Sequence, residues 1–305
     1  MFAAAATLAA AALLVSGCGF GPGSQEGSAE LIVSSDYGRQ VLVEQTLEDL
    51  TESETALRVL DDSAEVKTRY GGGFVQSVDG LEGGTEAGRS LDWFFAVNGI
   101  VAERGSAEFP VNAGDQVWWD YRDWTDAMDI GAVVGAWPAP MTGGYDGEVW
   151  PVNIECAGDR AACETVRGRL ADENVDATIQ MGLGTSPEGS LRFIVGPWAG
   201  ISADEESMKL TEKPARSGVF ANFEESGGDD TLVGLNEVSE PVQDFGPEAG
   251  LVAATRRGQG PPTWIVTGGS EAGVEEAASA LTSADLQHRY AAAVIDGQIF
   301  SLPLP

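Results

Sequence analysis

The sequence predicts an α+β fold built as two consecutive units. Three observations carry that reading. Between residues 71 and 124, short alternating runs loaded with aromatic side chains are separated by Asp-Gly and Asn-Gly turn pairs, the punctuation of strands rather than of a helix pair. Ahead of them lies a hairpin pattern followed by a short helical one. Beyond residue 147 strand and helix patterns alternate, which marks a second, differently wound unit.

In the first unit, Leu31-Ile32-Val33 and Val41-Leu42-Val43 flank the turn Asp36-Tyr37-Gly38-Arg39 and form an opening hairpin. Thr51-Glu52-Ser53-Glu54 has the form of a capping box, in which the hydroxyl and the carboxylate satisfy orphan backbone donors. The helix it would open carries Ala56, Val59 and Leu60 on one face. Residues 66–70 return to strand. Phe74-Val75-Gln76-Ser77-Val78 is then turned by Asp79-Gly80, a pair that tolerates positive φ. The run 91–97 closes at Asn98-Gly99, and 116–121 follows Gly114-Asp115. These three aromatic runs are expected in one sheet. Alternation places Leu91, Trp93, Phe95 and Val97 on one face, and Asp92, Phe94 and Ala96 on the other. Both faces are partly apolar, so one is expected under the helix and the other under a ligand, a partner or the second unit. A hairpin, a crossing helix and further strands make the unit β-grasp-like.

Residues 128–140 read as a short apolar strand broken at Trp137-Pro138, and 141–147 as a Gly-rich linker and domain boundary. The second unit reads as strand 149–155, helix 161–171, strand 175–180 and strand 191–195. A helix capped by Ser202 and Glu205 follows, then strands 218–223, 231–235 and 264–267, a helix from about 271 to 281, and a closing hairpin around Asp296-Gly297. Phe193-Ile194-Val195-Gly196-Pro197 and Trp264-Ile265-Val266-Thr267-Gly268 open two similar strand–helix–strand segments. They predict an open-sheet α/β or ferredoxin-like domain of repeated units.

Composition sets the bounds on function. The 305 residues carry 48 acidic against 17 basic side chains, a net charge of −31, and such a surface repels phosphate backbones; nucleic acid is not an expected partner. Residues 2–15 are apolar and too short for a comfortable membrane span. They end in Leu14-Val15-Ser16-Gly17-Cys18, which resembles a bacterial lipobox, although no Lys or Arg precedes the apolar run. The resemblance implies a signal peptide over 1–17, a lipid on Cys18, a Gly/Ser-rich tether over 18–28, and a protein anchored on the extracytoplasmic face of a bacterial membrane. The first domain then spans 29–140 and the second 148–305. Cys156 and Cys163, an isolated close pair in a secreted context, predict a disulfide worth about 2 kcal/mol; their spacing suits no metal.

The motifs Gly73-Phe74-Val75-Gln76-Ser77-Val78-Asp79-Gly80-Leu81, Val97-Asn98-Gly99 after Trp93, and Gly114-Asp115-Gln116-Val117-Trp118-Trp119-Asp120-Tyr121 occur in an order that resembles a known family. They are similar to the small β-domain of the vertebrate cobalamin carriers, and more so to its bacterial relative, the domain of unknown function DUF4430. About a third of the chain is covered. In the cobalamin carriers this domain closes over one face of the corrin. The resemblance therefore implies Ser77, Asp79, Asp92, Trp93 and Tyr121 as candidate ligand-binding residues with a corrinoid as the candidate ligand, and the aromatic strands themselves, read as a platform for a flat ligand, add Phe95 and Trp119. The helical partner domain of those carriers has no counterpart here.

Little else carries chemistry. His288 is the only histidine and reads as a surface residue near a helix end, and no nucleophile elbow of the Gly-x-Ser-x-Gly type occurs. Gly268-Gly269-Ser270-Glu271 lies where phosphate loops lie, yet it lacks a lysine and is better explained by Ser270 as a helix cap. No calcium loop and no metal-ligand spacing occurs, and no cofactor or catalytic residue is assigned. The expected function is that of a non-catalytic binding lipoprotein, serving a cobalamin-like small molecule or nutrient uptake with a transporter as partner. The alternative is an envelope module that binds protein or polysaccharide.

Overall fold

The computed structural model describes residues 27–305; the lipobox and Cys18 lie outside them. The opening hairpin is formed by Ala29–Ser35 and Gln40–Leu47, antiparallel and joined by a tight turn with positive φ at Asp36, Tyr37 and Gly38. Ala29–Ser35 then pairs in parallel with Gln116–Asp123, which pairs antiparallel with Arg89–Val97. Gly84–Glu86 closes the far edge and Ile100–Val101 folds back on Arg89–Val97. First and last strands side by side and parallel, with a helix crossing between them, form the expected β-grasp-like arrangement.

The helix Ala56–Asp61 turns Ala56, Val59 and Leu60 inward onto Leu31, Val33, Trp93, Phe95, Val97, Val117 and Trp119. Its cap is Thr55, whose hydroxyl accepts the Arg58 N–H, and not the expected Thr51; the Thr51 hydroxyl instead donates to Glu54 Oε1 at 2.7 Å. The helix therefore starts one turn later than the capping box predicts, with a threonine cap and no carboxylate reaching back. A second correction concerns Phe74–Val78. It does not join the other two aromatic strands but lies between Val66–Arg69 and Leu81–Glu82 in a separate small sheet.

The second unit centres on a seven-stranded mixed sheet. Its order is Ala177–Met181, Val152–Cys156, Leu191–Val195, Pro262–Gly268, Gly250–Arg256, Ala291–Ile295 and Gln298–Leu302, with the first four parallel and the rest antiparallel. The two similar segments are neighbours: Phe193 sits opposite Trp264, Ile194 opposite Ile265 and Val195 opposite Val266. Their continuations diverge, however. Ala221–Ser226 leaves for a three-stranded meander with Asp229–Leu235 and Pro241–Gly246, whereas Ala291–Ile295 stays in the main sheet. Helices Arg160–Asp172 and Glu271–Ser279 cover one face over Val166, Leu170, Phe193, Trp264 and Val274. Ser270 caps the second of them as expected, but the helix Glu205–Glu212 is capped by Asp204 rather than Ser202. Cys156 and Cys163 are disulfide-bonded, tying the end of a strand to the adjoining helix. Among the described residues no helix is long and apolar enough to cross a membrane.

Residues 128–140 do not form a strand. They run as an irregular segment with a single bridge from Ala132 to Ile100, a 3-10 turn at Val134–Ala136 and the short helix Ala139–Thr142. Their apolar side chains are spent on neighbours, Val133 in one core and Trp137 against Phe193 and Trp264 in the other. The expected linker is likewise packed, with Gly144 accepting an amide hydrogen from Asn98 and Tyr145 lying against Phe109.

The outer face of the first sheet packs on the second unit. Ile32 and Trp118 enter the same apolar cluster as Ile194, Phe220, Leu251 and Ala293. At the seam lies Asp120, fully buried. Its Oδ1 accepts from the Ser34 hydroxyl at 2.6 Å and the Gly38 N–H at 3.1 Å, and its Oδ2 accepts from the Tyr290 hydroxyl at 3.0 Å. Trp118 Nε1–H donates to the same Ser34 hydroxyl. Two glycines let Trp118 into the seam: a Cβ on Gly38 would come within 2.8 Å of its ring and one on Gly135 within 2.7 Å.

Burial pushes the Asp120 carboxyl up from 3.8 to about 6, despite the three donors and the nearby Arg122 guanidinium. Between those values the folded chain holds a proton that the unfolded chain has lost. The stability from this group is therefore fully present below pH 3.8 and lost as pH rises through about 6. In Asp120→Asn the amide oxygen can keep Ser34 and Gly38 while the amide nitrogen donates to Tyr290. Chemical denaturation from pH 3.5 to 7 is expected to show the parent losing about 3 kcal/mol relative to this variant across that window. A constant difference would show that Asp120 titrates normally.

Candidate cleft at the shared strand end

Because Ala29–Ser35 and Gln116–Asp123 run parallel, with Ser35 opposite Tyr121, both strands end at one edge of the first sheet. There the tight turn after Ser35, the end of the neighbouring hairpin and a loop of the second unit enclose a cleft of about 500 Å³. Tyr121, Leu91, Leu81 and Leu42 supply its apolar surface, and two arginines with their acidic partners supply its charge. Arg39 grips Asp36 with both Nε and Nη2 and also donates to the Pro303 carbonyl. Arg89 reaches Asp123 with Nε and Glu237 with Nη2, each at 2.8 Å, so one guanidinium spans both units.

The electrostatics of the cleft favour fixed charges over proton transfer. Burial by itself would raise Asp123, but the Thr125 hydroxyl and amide and the Arg89 guanidinium outweigh it and hold the carboxyl below its usual range. Tyr121 is raised, first by burial and then by Asp92 and Glu86. Its hydroxyl donates to the Glu82 carbonyl at 2.9 Å, which fixes the ring against Trp93 at a centroid distance of 5.3 Å. Among the described residues, no group of three or more His, Cys, Asp or Glu is arranged to hold a metal ion. Ion pairs, a fixed phenol and three leucines set oriented charge around a part-apolar wall.

The sequence-derived candidate set separates in space. Trp93, Phe95 and Trp119 are 4%, 9% and 2% exposed and form the core under the helix, with Phe95 stacked on Trp119 at 4.7 Å. Their faces are taken up inside the core: Phe109 stands edge-on to Phe95, and Trp93 lies against Tyr121 with its Nε1–H on the Leu81 carbonyl. Ser77 is buried in the small sheet. Asp79 is exposed at positive φ, and its carboxylate accepts the Glu65 N–H, a turn role. Asp92 is raised by burial, although the Trp124 Nε1–H bond at 3.0 Å acts against it. Only Tyr121 of the set reaches the cleft. The residues beside it, Arg39 and Leu42, Arg89, and Glu237, come from three separate segments, and no local pattern in the sequence joins them.

Two other places bear on the search for a site. At the point where the main sheet's chain path reverses, the ends of Val152–Cys156 and Leu191–Val195 would be the expected ligand crevice of an open sheet. It is filled from within: the Asp159 N–H donates to both oxygens of Glu271 at 3.1 Å, and a Cβ on Gly158 would strike Pro197. His288 is half-buried at φ 60, with Nε2 3.3 Å from a Glu44 oxygen across the seam.

No curated protein matches the chain. Among solved structures, one from Ruminococcus gnavus ATCC 29149, named as a candidate metal-binding protein, aligns at 19% identity and a TM-score of 0.26 over 32% of this chain and 98% of its own. Residues 53–123, from just before the first helix to the end of the Gln116–Asp123 strand, match the family model of the domain of unknown function DUF4430.

Proposed function

We propose that this protein is a membrane-anchored extracytoplasmic lipoprotein with a non-catalytic, ligand-binding role, and that the cleft at Tyr121 is its binding site. The observation that carries the reading is the fate of the aromatic rings. The strands hold more rings than a ligand could meet, the core takes Trp93, Phe95 and Trp119, and Tyr121 faces a cleft of about 500 Å³ with leucines and arginines around it. That volume suits a drug-sized molecule, and a flat ligand with polar substituents could lie on Tyr121 and the leucines while its substituents meet Arg39 and Arg89. A corrinoid carries such a flat macrocycle with amide arms and is the ligand the family resemblance suggests; being larger than the cleft, it would seat only one edge there. An accessory role in nutrient uptake follows, with a membrane transporter as partner. The lipobox-like Leu14-Val15-Ser16-Gly17-Cys18 supports the anchor.

Titration of the purified protein with cyanocobalamin, followed by absorbance, tests the site. Tyr121→Ala should abolish or weaken binding by at least about tenfold with a smaller loss of stability than a core ring, since its ring is only partly buried. Trp93→Ala should instead lower stability by about 3–5 kcal/mol, the cost of truncating a core ring. If no corrinoid binds, mass analysis of whatever copurifies from the native envelope identifies the ligand. A copurifying polysaccharide or protein bound elsewhere would favour an envelope interaction module and overturn the reading.

The anchor has its own test. Cys18→Ser is expected to move the protein out of the membrane fraction or leave an uncleaved precursor. Unaltered membrane retention in mature form would contradict lipidation at Cys18.

A further inference from the structure

We propose that a second pocket, where the second unit meets the connecting segment at Asp129, binds a phosphate group. The pocket has a volume of about 350 Å³ and lies between the helix Glu205–Glu212, the short helix Pro214–Ser217 and the turn that follows the strand Gly250–Arg256. The chain carries only 17 basic residues against 48 acidic ones, yet five of the ten residues lining this pocket are basic. A random share of the chain's cations would put fewer than about one there, so their convergence is a built feature of the surface. Asp129 and Glu212 line it too, so the lining is basic by five residues to two where the whole chain is acidic by 48 to 17, and a concave wall focuses the field that draws an anion in.

The cations are held differently. Arg216 pairs with Asp129 and Arg257 with Glu205, each through one nitrogen, which leaves other N–H donors of each guanidinium unassigned. Lys209 is tied to Glu206 at 2.6 Å. Lys213, exposed on the lining, has no side-chain hydrogen-bond or ion-pair partner among the described residues. The Arg256 head turns away, lying 5.0 Å over Tyr145 and donating to the Gly260 carbonyl, so it contributes the wall rather than a free charge. The frame is firm: the Asp129 N–H donates to the Arg216 carbonyl, and Gly218 at φ +82 packs against Ile130 with no room for a Cβ. One free ammonium between two part-engaged guanidinium groups suits a dianion better than a single carboxylate, because arginine forks match phosphate geometry. The volume exceeds that of phosphate alone and leaves room for a small organic body. A long nucleic-acid backbone is disfavoured by the acidic surface around the pocket.

The experiment is calorimetric titration at low ionic strength with inorganic phosphate and with glycerophosphoglycerol, the soluble diester headgroup of an anionic lipid. Binding of either probe is expected, weakened at least about tenfold in Lys213→Ala and in Arg216→Ala, the loss typical of one charge-assisted contact, and unchanged in Lys67→Ala. Tighter binding of inorganic phosphate assigns a free phosphate monoester as the ligand, and tighter binding of the diester assigns a lipid headgroup. Lys213 makes no side-chain bond, so Lys213→Ala should keep the parent melting temperature even if Arg216→Ala, which also frees Asp129, does not. Absence of heat with both probes into the millimolar range, or equal affinity in parent and Lys213→Ala, would overturn the assignment.

Discussion

The buried carboxylate of Asp120 is the constraint on which the arrangement of this protein depends. It receives hydrogen bonds from Ser34 and Gly38 on the opening hairpin and from Tyr290, just ahead of the main-sheet strand Ala291–Ile295. A charge or polar group placed there without those partners would cost several kcal/mol, so the two units must meet in one register. The rest of the seam follows from that register. Tyr37 packs edge-on against both Phe220 and Tyr290 at about 5 Å. Arg122, almost fully buried, lies 4.0 Å over Phe94 and donates to the Ala127 carbonyl. With one face of the first sheet sealed by this seam and the other by the helix, only its edge is left to meet a ligand. That edge is where the cleft is.

Much of the fold was legible because local chemistry and tertiary demand agree. Asp79-Gly80, Asn98-Gly99 and Asp296-Gly297 adopt the positive φ their side chains tolerate, and the strands they punctuate fall where alternation puts them. The Cys156–Cys163 bridge and the Ser270 cap follow from spacing and from hydroxyl chemistry in the same way. Legibility failed where packing alone decides. Gly250–Arg256 lies inside the main sheet with both faces covered, so its run Leu251-Val252-Ala253-Ala254 has no alternation to read, and flanking glycines disguise it as loop. Residues 128–140 failed in the opposite sense. Their apolar run suggests a strand, but its side chains are divided between two cores and its backbone joins no ladder.

The candidate site shows the same division. Tyr121 was accessible to sequence reasoning as one ring in a conspicuous stripe, but its exposure depends on where the parallel pair Ala29–Ser35 and Gln116–Asp123 ends. The other rings of the stripe are buried in the core they share with the helix. Arg39, Arg89 and Glu237 are ordinary charged residues until the seam brings residue 237 to residue 89. Net charge was informative in a further way: against so acidic a background, clustered basic residues stand out as places where the surface departs from its average.

If the seam determines both the closed face and the open cleft, the two units must lose structure together. Hydrogen exchange followed by mass spectrometry across a denaturant series measures this directly, comparing peptides from the strand Gln116–Asp123 with peptides from the strand Ala291–Ile295. The account predicts a single midpoint shared by both strands in the parent, and two separated midpoints once Tyr290→Phe removes the bond to Asp120. Separate midpoints in the parent itself would contradict it, because the cleft would then belong to two independently folding bodies rather than to one.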